Sequence, residues 1–327
     1  MRRISNKPRP GWQQTVRGQG VSDARWDESA CYVLDLPEVL KLEAVTEELY
    51  RMCLAAVRHV TTQDRYAEYG IPLWAVPAIE RSLHSGAPSL VARLDLWYDG
   101  TSPPKLMDCH ADVPDGLVEA AIAQWYWLEA TRPDQDQWNS LHERLVSAWR
   151  SIALRLPEPV VHFGWSNLDQ AGAEEWTAGY LADAAEQAGI RARLIAMQQI
   201  GWDGNRFVDD TGVPISTCFK RYKWEWMLSE PYGQLAMDPD SKTIWIEPPW
   251  KLLLDGEVLL GVLRKLYPDH PNLLRGPMPP PSLGGPPVVL GSWVVVGEDG
   301  RGLPAGAGFR EVAPDGTALF VPHFVSR

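Results

Sequence analysis

The sequence predicts an α/β protein built from three blocks in order: a strand–turn–strand unit at 90–109, a βαβ unit at 160–197, and a β-rich segment that follows a proline-rich stretch. The first block rests on the alternation of apolar and polar side chains in ARLDLWY at 92–98, which runs into the turn dipeptide Asp99-Gly100. The second rests on VVHF at 160–163, a helix-spaced run from Glu174 to Gln187 stopped by Gly189, and a further apolar run from Ala192 to Met197. The third is read at 288–296 and 308–325, where strand-forming residues return after RGPMPPPSLGGPP at 275–287, whose six prolines and three glycines exclude regular structure.

Within this frame, residues 38–60 follow Pro37 with apolar positions at helical spacing, acids early and bases late, which suits the helix dipole. The partner strand of the hairpin is expected at Pro104 to Cys109, and GLVEAAIAQWYWLEA from Gly116 has helical periodicity. Residues 108–115 are therefore expected on a strand-to-helix loop. VLLGVLRKL at 258–266 reads as a short helix ending before Pro268. No internal repeat is visible. The expected organisation is a flexible N-terminus at 1–20, one α/β body at 21–274, a proline- and glycine-rich linker at 275–287, and a C-terminal β segment of the same domain at 288–327.

Composition narrows the partners. Of 327 residues, 45% are apolar and 22% charged, which marks a folded globular chain. A formal charge of -11 argues against nucleic acid, because neutralising phosphates needs a basic face. No run approaches the roughly 18 to 20 apolar residues of a membrane span. The early cluster Arg2, Arg3, Lys7 and Arg9 is followed by no signal-peptide core, so a cytoplasmic protein is expected. Cys31, Cys53, Cys109 and Cys218 have no CxxC spacing and are expected as reduced thiols. The sixteen tryptophans, clustered as in Trp125-Tyr126-Trp127 and Trp224-Glu225-Trp226, are first of all packing material, with an aromatic cage for a cationic amine as the alternative.

Three stretches read together carry a resemblance: ARLDLWYDG with KLMDCHADVPDGLVEAAIAQW at 92–125, TCFKRYKWEWML at 217–228, and IWIEPPWKLLL through LYPDHPNLL at 244–274; VLGSWVVVGE and GAGFRE through FVPHF add a fourth at 289–324. In order, spacing and tryptophan positions the chain resembles the glutathionylspermidine synthase family over roughly residues 20–327. The resemblance implies an ATP-grasp-like fold and a C–N ligase that phosphorylates a carboxylate with ATP and lets an amine attack the acyl phosphate. Such chemistry needs divalent metal on the phosphates, arginine on the transferring group and lysines on the nucleotide. Some relatives carry an N-terminal amidase segment that is not seen here, so hydrolysis of the amide is not expected.

Residue by residue, the resemblance implies catalytic roles for Arg93 and the late Arg310, and a metal role for Asp95. Alternation along a strand puts Arg93 and Asp95 on one face. Where the family shows Glu-x-Asn-Ala-Asp, this chain has Asp108-Cys109-His110-Ala111-Asp112. Asp108 is an equivalent ligand, but the imidazole of His110 suits magnesium poorly and would suit iron, manganese or zinc. The family's Ser-Asn-Lys is replaced by Asp255-Gly256-Glu257, and the lysine-bearing, glycine-rich lid segment by the short linker at 275–287, whose prolines offer no N–H donors. Lys220 and Lys251, with Lys223 beside them, are the cations left to bind a cofactor. The expectation is a ligase scaffold with a degenerate ATP site, using ATP weakly or not at all and holding a small carboxylate or amine; the alternatives are a non-catalytic binding or scaffold protein and a metal-dependent enzyme built on Asp95, Asp108 and His110. Oligomeric state is left open.

Overall fold

The five strands that build the candidate site belong to one antiparallel sheet, with strands numbered in chain order as β13 (Ala318–Val321), β12 (Gly302–Val312), β11 (Val288–Val296), β3 (Val91–Trp97) and β4 (Lys105–His110) from edge to edge. This computed structural model describes residues 1–168, 172–313 and 315–326. A second sheet is parallel throughout, in the order β10 (Ile244–Ile246), β9 (Thr217–Arg221), β5 (Val160–Trp165) and β6 (Arg191–Ala196). A third joins β1 (Arg2–Ser5), β2 (Ala30–Asp35) and β14 (His323–Ser326), and β7 (Gly201–Trp202) pairs with β8 (Phe207–Val208). Mixed sheets and helices make this an α/β fold, and the expected linker at 275–287 contains no helix or named strand, Trp97 donating its indole N–H to Pro279 O at 3.0 Å.

Alternation along β3 explains how the sheet separates core from chemistry. Ala92, Leu94 and Leu96 enter one buried core with Leu290 and Val294 of β11, so Arg93 and Asp95 are turned to the opposite face. That first core is covered by α2 (Leu36–Thr62), a 27-residue helix started by Asp35, whose carboxylate accepts the Glu38 N–H at 2.8 Å, with proline in the first turn. The chain also forms the short helices α1 (Trp12–Arg17), α3 (Val76–His84) and α4 (Gln124–Thr131), and a single π-turn over Glu119–Ala123 precedes α4. Helices α5 (Leu141–Ala153) and α6 (Ala173–Gln187) cover the parallel sheet, whose buried Phe163 and Phe219 pack against Trp149 in a second core. After β9 come α7 (Trp224–Ser229), α8 (Gly233–Met237) and α9 (Glu257–Leu266), the last against α2.

Two expectations change here. Residues 1–20, expected to fray, contain β1 in register with β2 and α1 with its buried Val16. The charges that suggested a tail are used: Arg3 Nε donates to Glu311 at 2.6 Å, and Arg9 N–H and Nε both reach Glu28 at 3.1 Å. Asp108, Cys109 and His110 lie on β4 itself, not on the loop after it, because β4 keeps pairing with β3 as far as Arg93↔His110. Helix α5 and strand β2 are additions that the sequence reading does not contain.

Candidate functional site

The hairpin register places Arg93 opposite His110 and Asp95 opposite Asp108, so all four side chains share the face that the core does not use. Arg310 joins them from β12, two strands away. Gly291 of β11, paired with Asp95 and Gly308, leaves room for the Arg93 side chain, since a Cβ there would lie 3.0 Å from Arg93 Cδ. The result is a knot of charge. Arg93 Nε and Nη2 donate to Asp95 at 2.8 and 3.2 Å, Arg310 Nη2 donates to Asp95 Oδ2, His110 Nε2 lies 3.2 Å from the same oxygen, and Arg93 Nη1 binds Asp115 through its carbonyl and carboxylate. Burial would raise the Asp95 pKa, but Arg93, His110 and Arg310 outweigh it and hold the carboxyl well below the usual carboxylate range. The same contest leaves Asp115 depressed, and Arg93 raised in spite of its burial.

Neither sequence-predicted lysine faces solvent. Lys220, fully buried, is bound to Asp112 Oδ1 and donates to Tyr222 O at 3.0 Å. Lys251, equally buried, lies 2.9 Å from Glu247 Oε2 and donates to Val91 O at 2.8 Å. Asp112 also accepts the Trp224 N–H at 2.6 Å, so both its oxygens are used within the fold.

A cleft opens beside the charge knot in two arms that share His110, Lys223 and Asp255. The larger arm, about 720 Å³, is lined by Glu68, Asp108, Asp112, Glu225, Asp255 and Glu257 against one lysine, Lys223. The smaller, about 480 Å³, adds Asp115, Ser166 and Arg221, and Arg221 is already engaged with Glu174 at 2.8 and 3.0 Å. Lys223 is exposed, 5.6 Å above the ring of the exposed Trp226, while the neighbouring Trp224 is core. Asp255 is the group that the sequence reading undervalued. It was legible only as the first residue of the tract whose third, Glu257, replaces a cation, yet burial and the neighbouring Asp112 and Asp108 push its carboxyl up to about 6, against the opposing Ala111 N–H at 2.8 Å and His110. A carboxyl near neutrality in a cleft is suited to proton transfer.

The preATP-grasp model of glutathionylspermidine synthase matches residues 3–280 of this chain. The chain belongs to the glutathionylspermidine synthase family. It is 32% identical over 286 residues to a putative acid–amine ligase of Haemophilus influenzae, covering 85% of this chain and 71% of that protein. To the trypanothione synthetase of Crithidia fasciculata it is 25% identical over 293 residues, 79% of this chain but only 43% of the relative's length. Among solved structures, a glutathione synthetase-like effector of Globodera pallida shares the fold with a TM-score of 0.55 at 11% identity, covering 96% and 98% of the two chains. Among the described residues no helix is long and apolar enough to cross a membrane.

For a glutathionylspermidine synthase family member the decisive question is whether Asp95, Asp108 and His110 can hold the metal that the resemblance implies. As arranged they do not fit magnesium. Both Asp95 oxygens are taken by guanidinium groups, a cation there would meet the charges of Arg93 and Arg310, and Asp108 Oδ1 accepts its own neighbour's N–H from Cys109 at 2.8 Å. A transition-metal set fares no better, since His110 Nε2 lies 3.6 Å from Asp108 and points to Asp95. Among the described residues no group of three or more His, Cys, Asp or Glu side chains is disposed to hold a metal ion.

Proposed function

We propose that this chain is an acid–amine ligase scaffold with a degenerate nucleotide site: it uses ATP weakly or not at all, and its cleft holds a small amine or carboxylate ligand. The observation that carries the reading is the placement of cations. Lys220 and Lys251 are spent on internal ion pairs, Arg93 and Arg310 on Asp95, and in the larger arm of the cleft Asp108, Glu225 and Asp255 have no lysine or arginine partner among the described residues, against one exposed lysine. Such a surface repels a triphosphate and favours a protonated amine. Each missing charge-assisted contact costs on the order of 1.5 to 3 kcal/mol, so the loss of two lysine contacts lowers nucleotide affinity by roughly a hundredfold or more.

Calorimetric titration with ATP and magnesium, paired with a thermal melt, tests this. The expected result is no saturable heat at micromolar nucleotide and no upward shift of Tm, because a ligand that binds only the folded state must stabilise it. Micromolar binding that disappears in both Arg310→Ala and Asp95→Ala would establish a working nucleotide site and overturn the proposal.

A further inference from the structure

A further partly enclosed cavity lies outside the cleft. It measures about 200 Å³ and sits where α2, the start of β3, α5 and the turn after β11 meet, and it shares no lining residue with either arm of the cleft. Its body is apolar, walled by Leu54, Leu83, Ile152 and Trp250. Two guanidinium groups stand in its lining, Arg58 from α2 and Arg155 just past the end of α5, against one exposed carboxylate, Glu298. Arg58 has no ion-pair or hydrogen-bond partner for its side chain among the described residues, and Arg155 spends only Nη2, on Gly86 O.

A further polar group in the lining has no partner. Ser89 is 91% buried at 9% exposure, and its Oγ makes no hydrogen bond. A buried hydroxyl without a partner costs about 1 to 3 kcal/mol, and it is not a group that packing alone would place there. An apolar cavity of about 150 Å³ accepts a benzene ring, so the space here suits a ring or short alkyl body of that size. The two arginines call for a negative head at the mouth, and planar guanidinium groups pair best with carboxylate or phosphate. A ring of that size takes up most of the roughly 200 Å³, which favours a single head group.

We infer that this cavity is a second ligand site, distinct from the cleft, for a small organic acid with an apolar or aromatic body and a single carboxylate. The site has the opposite charge preference to the larger arm of the cleft, and it does not depend on whether the cleft uses ATP. One wall is close to the fold's buried ion pair, because Ser89 precedes Leu90 and Val91, whose N–H groups bind Glu247, and Trp250 precedes Lys251.

The test uses the full chain and 4-fluorobenzoate, followed by fluorine NMR line broadening, with benzoate and its neutral isostere benzamide as competitors. Saturable binding is expected, displaced by benzoate and far more weakly by benzamide. The double variant Arg58→Gln/Arg155→Gln should weaken it by at least about tenfold, since charge-assisted hydrogen bonds are lost, while Lys223→Gln should leave it unchanged. Both arginines are exposed, so the variants should fold, which far-ultraviolet dichroism verifies. Absence of saturable binding at millimolar probe overturns the inference. So does equal competition by benzamide, binding that survives the double variant, or binding lost in Lys223→Gln, which would put the acid in the cleft.

Discussion

Replacing Glu247 by alanine is expected to cost about 4 to 5 kcal/mol, enough to leave most of the chain unfolded or insoluble at 37 °C. The side chain is fully buried and does three things at once. Its Oε1 accepts the N–H groups of Leu90 and Val91, each at 2.8 Å, and its Oε2 lies 2.9 Å from Lys251 Nζ, which is also fully buried. Oε2 is not aligned for a hydrogen bond, so the contact with Lys251 is ionic in character. Alanine would leave a buried ammonium with only the Val91 carbonyl and would orphan two buried donors at the start of β3, the strand that bears Arg93 and Asp95.

Two companions separate charge from geometry. Glu247→Gln keeps an acceptor for the two N–H groups and removes only the countercharge, so it should be less damaging than alanine. Adding Lys251→Met to Glu247→Gln removes the orphaned charge and should recover part of the loss. Urea denaturation measures all three, read at constant m. A Glu247→Ala protein within about 1 kcal/mol of the parent would mean that the pair is hydrated, and Lys251 would again be a candidate for the nucleotide.

What could be read in the sequence follows the range of the interaction. The β3–β4 hairpin was legible because alternation and Asp99-Gly100 are local, and Gly100 takes φ +84° as such a turn requires. Helix α2 was legible from its periodicity, and α6 from its Gly189 stop. The sheet of β1, β2 and β14 was not. Its strands come from opposite ends of the chain, and Arg2 and Arg3 look like a charged tail until Glu311 is brought to Arg3, with the Tyr32 hydroxyl donating to the same carboxylate at 2.8 Å.

The site divides in the same way. Two-residue spacing predicted the shared face of Arg93 with Asp95, and the register of β3 with β4, which adds Asp108 and His110 to it, depends on nothing more distant. The fate of the lysines depends on residues far away: Lys220 meets Asp112 from 108 positions earlier, and no spacing rule reports that partner. Arg310 reaches Asp95 over 215 positions, from a strand that pairs with β11 and not with β3. Aligning motifs showed that a cation is missing at Glu257; only the folded neighbourhood shows what Asp255, two residues before it, does.

Asp255 supplies the other large effect: Asp255→Asn is expected to stabilise the protein above pH 6. Its folded pKa is about 6, raised above the value near 4 of an unfolded chain by burial and by Asp112 and Asp108. Between those two values the folded state holds a proton that the unfolded state has released, so stability falls as pH rises from 4 to 6 and the penalty is complete above 6. A shift of about two units corresponds to up to about 3 kcal/mol. Asparagine keeps an oxygen for the Ala111 N–H, which lies 2.8 Å from Asp255 Oδ1, and removes the charge that the neighbouring acids resist. Because other carboxylates titrate in the same window, the readout is the difference between parent and variant in urea unfolding from pH 4 to 8. That difference should be near zero at pH 4, grow through pH 6 and then level off. A flat difference would show Asp255 to be an ordinary, solvated acid and remove it as a proton-transfer group. A rise with no effect on ligand binding would make it a local electrostatic strain that the cleft does not use. Lost ligand binding together with gained stability is the outcome expected of a functional carboxyl held against its surroundings.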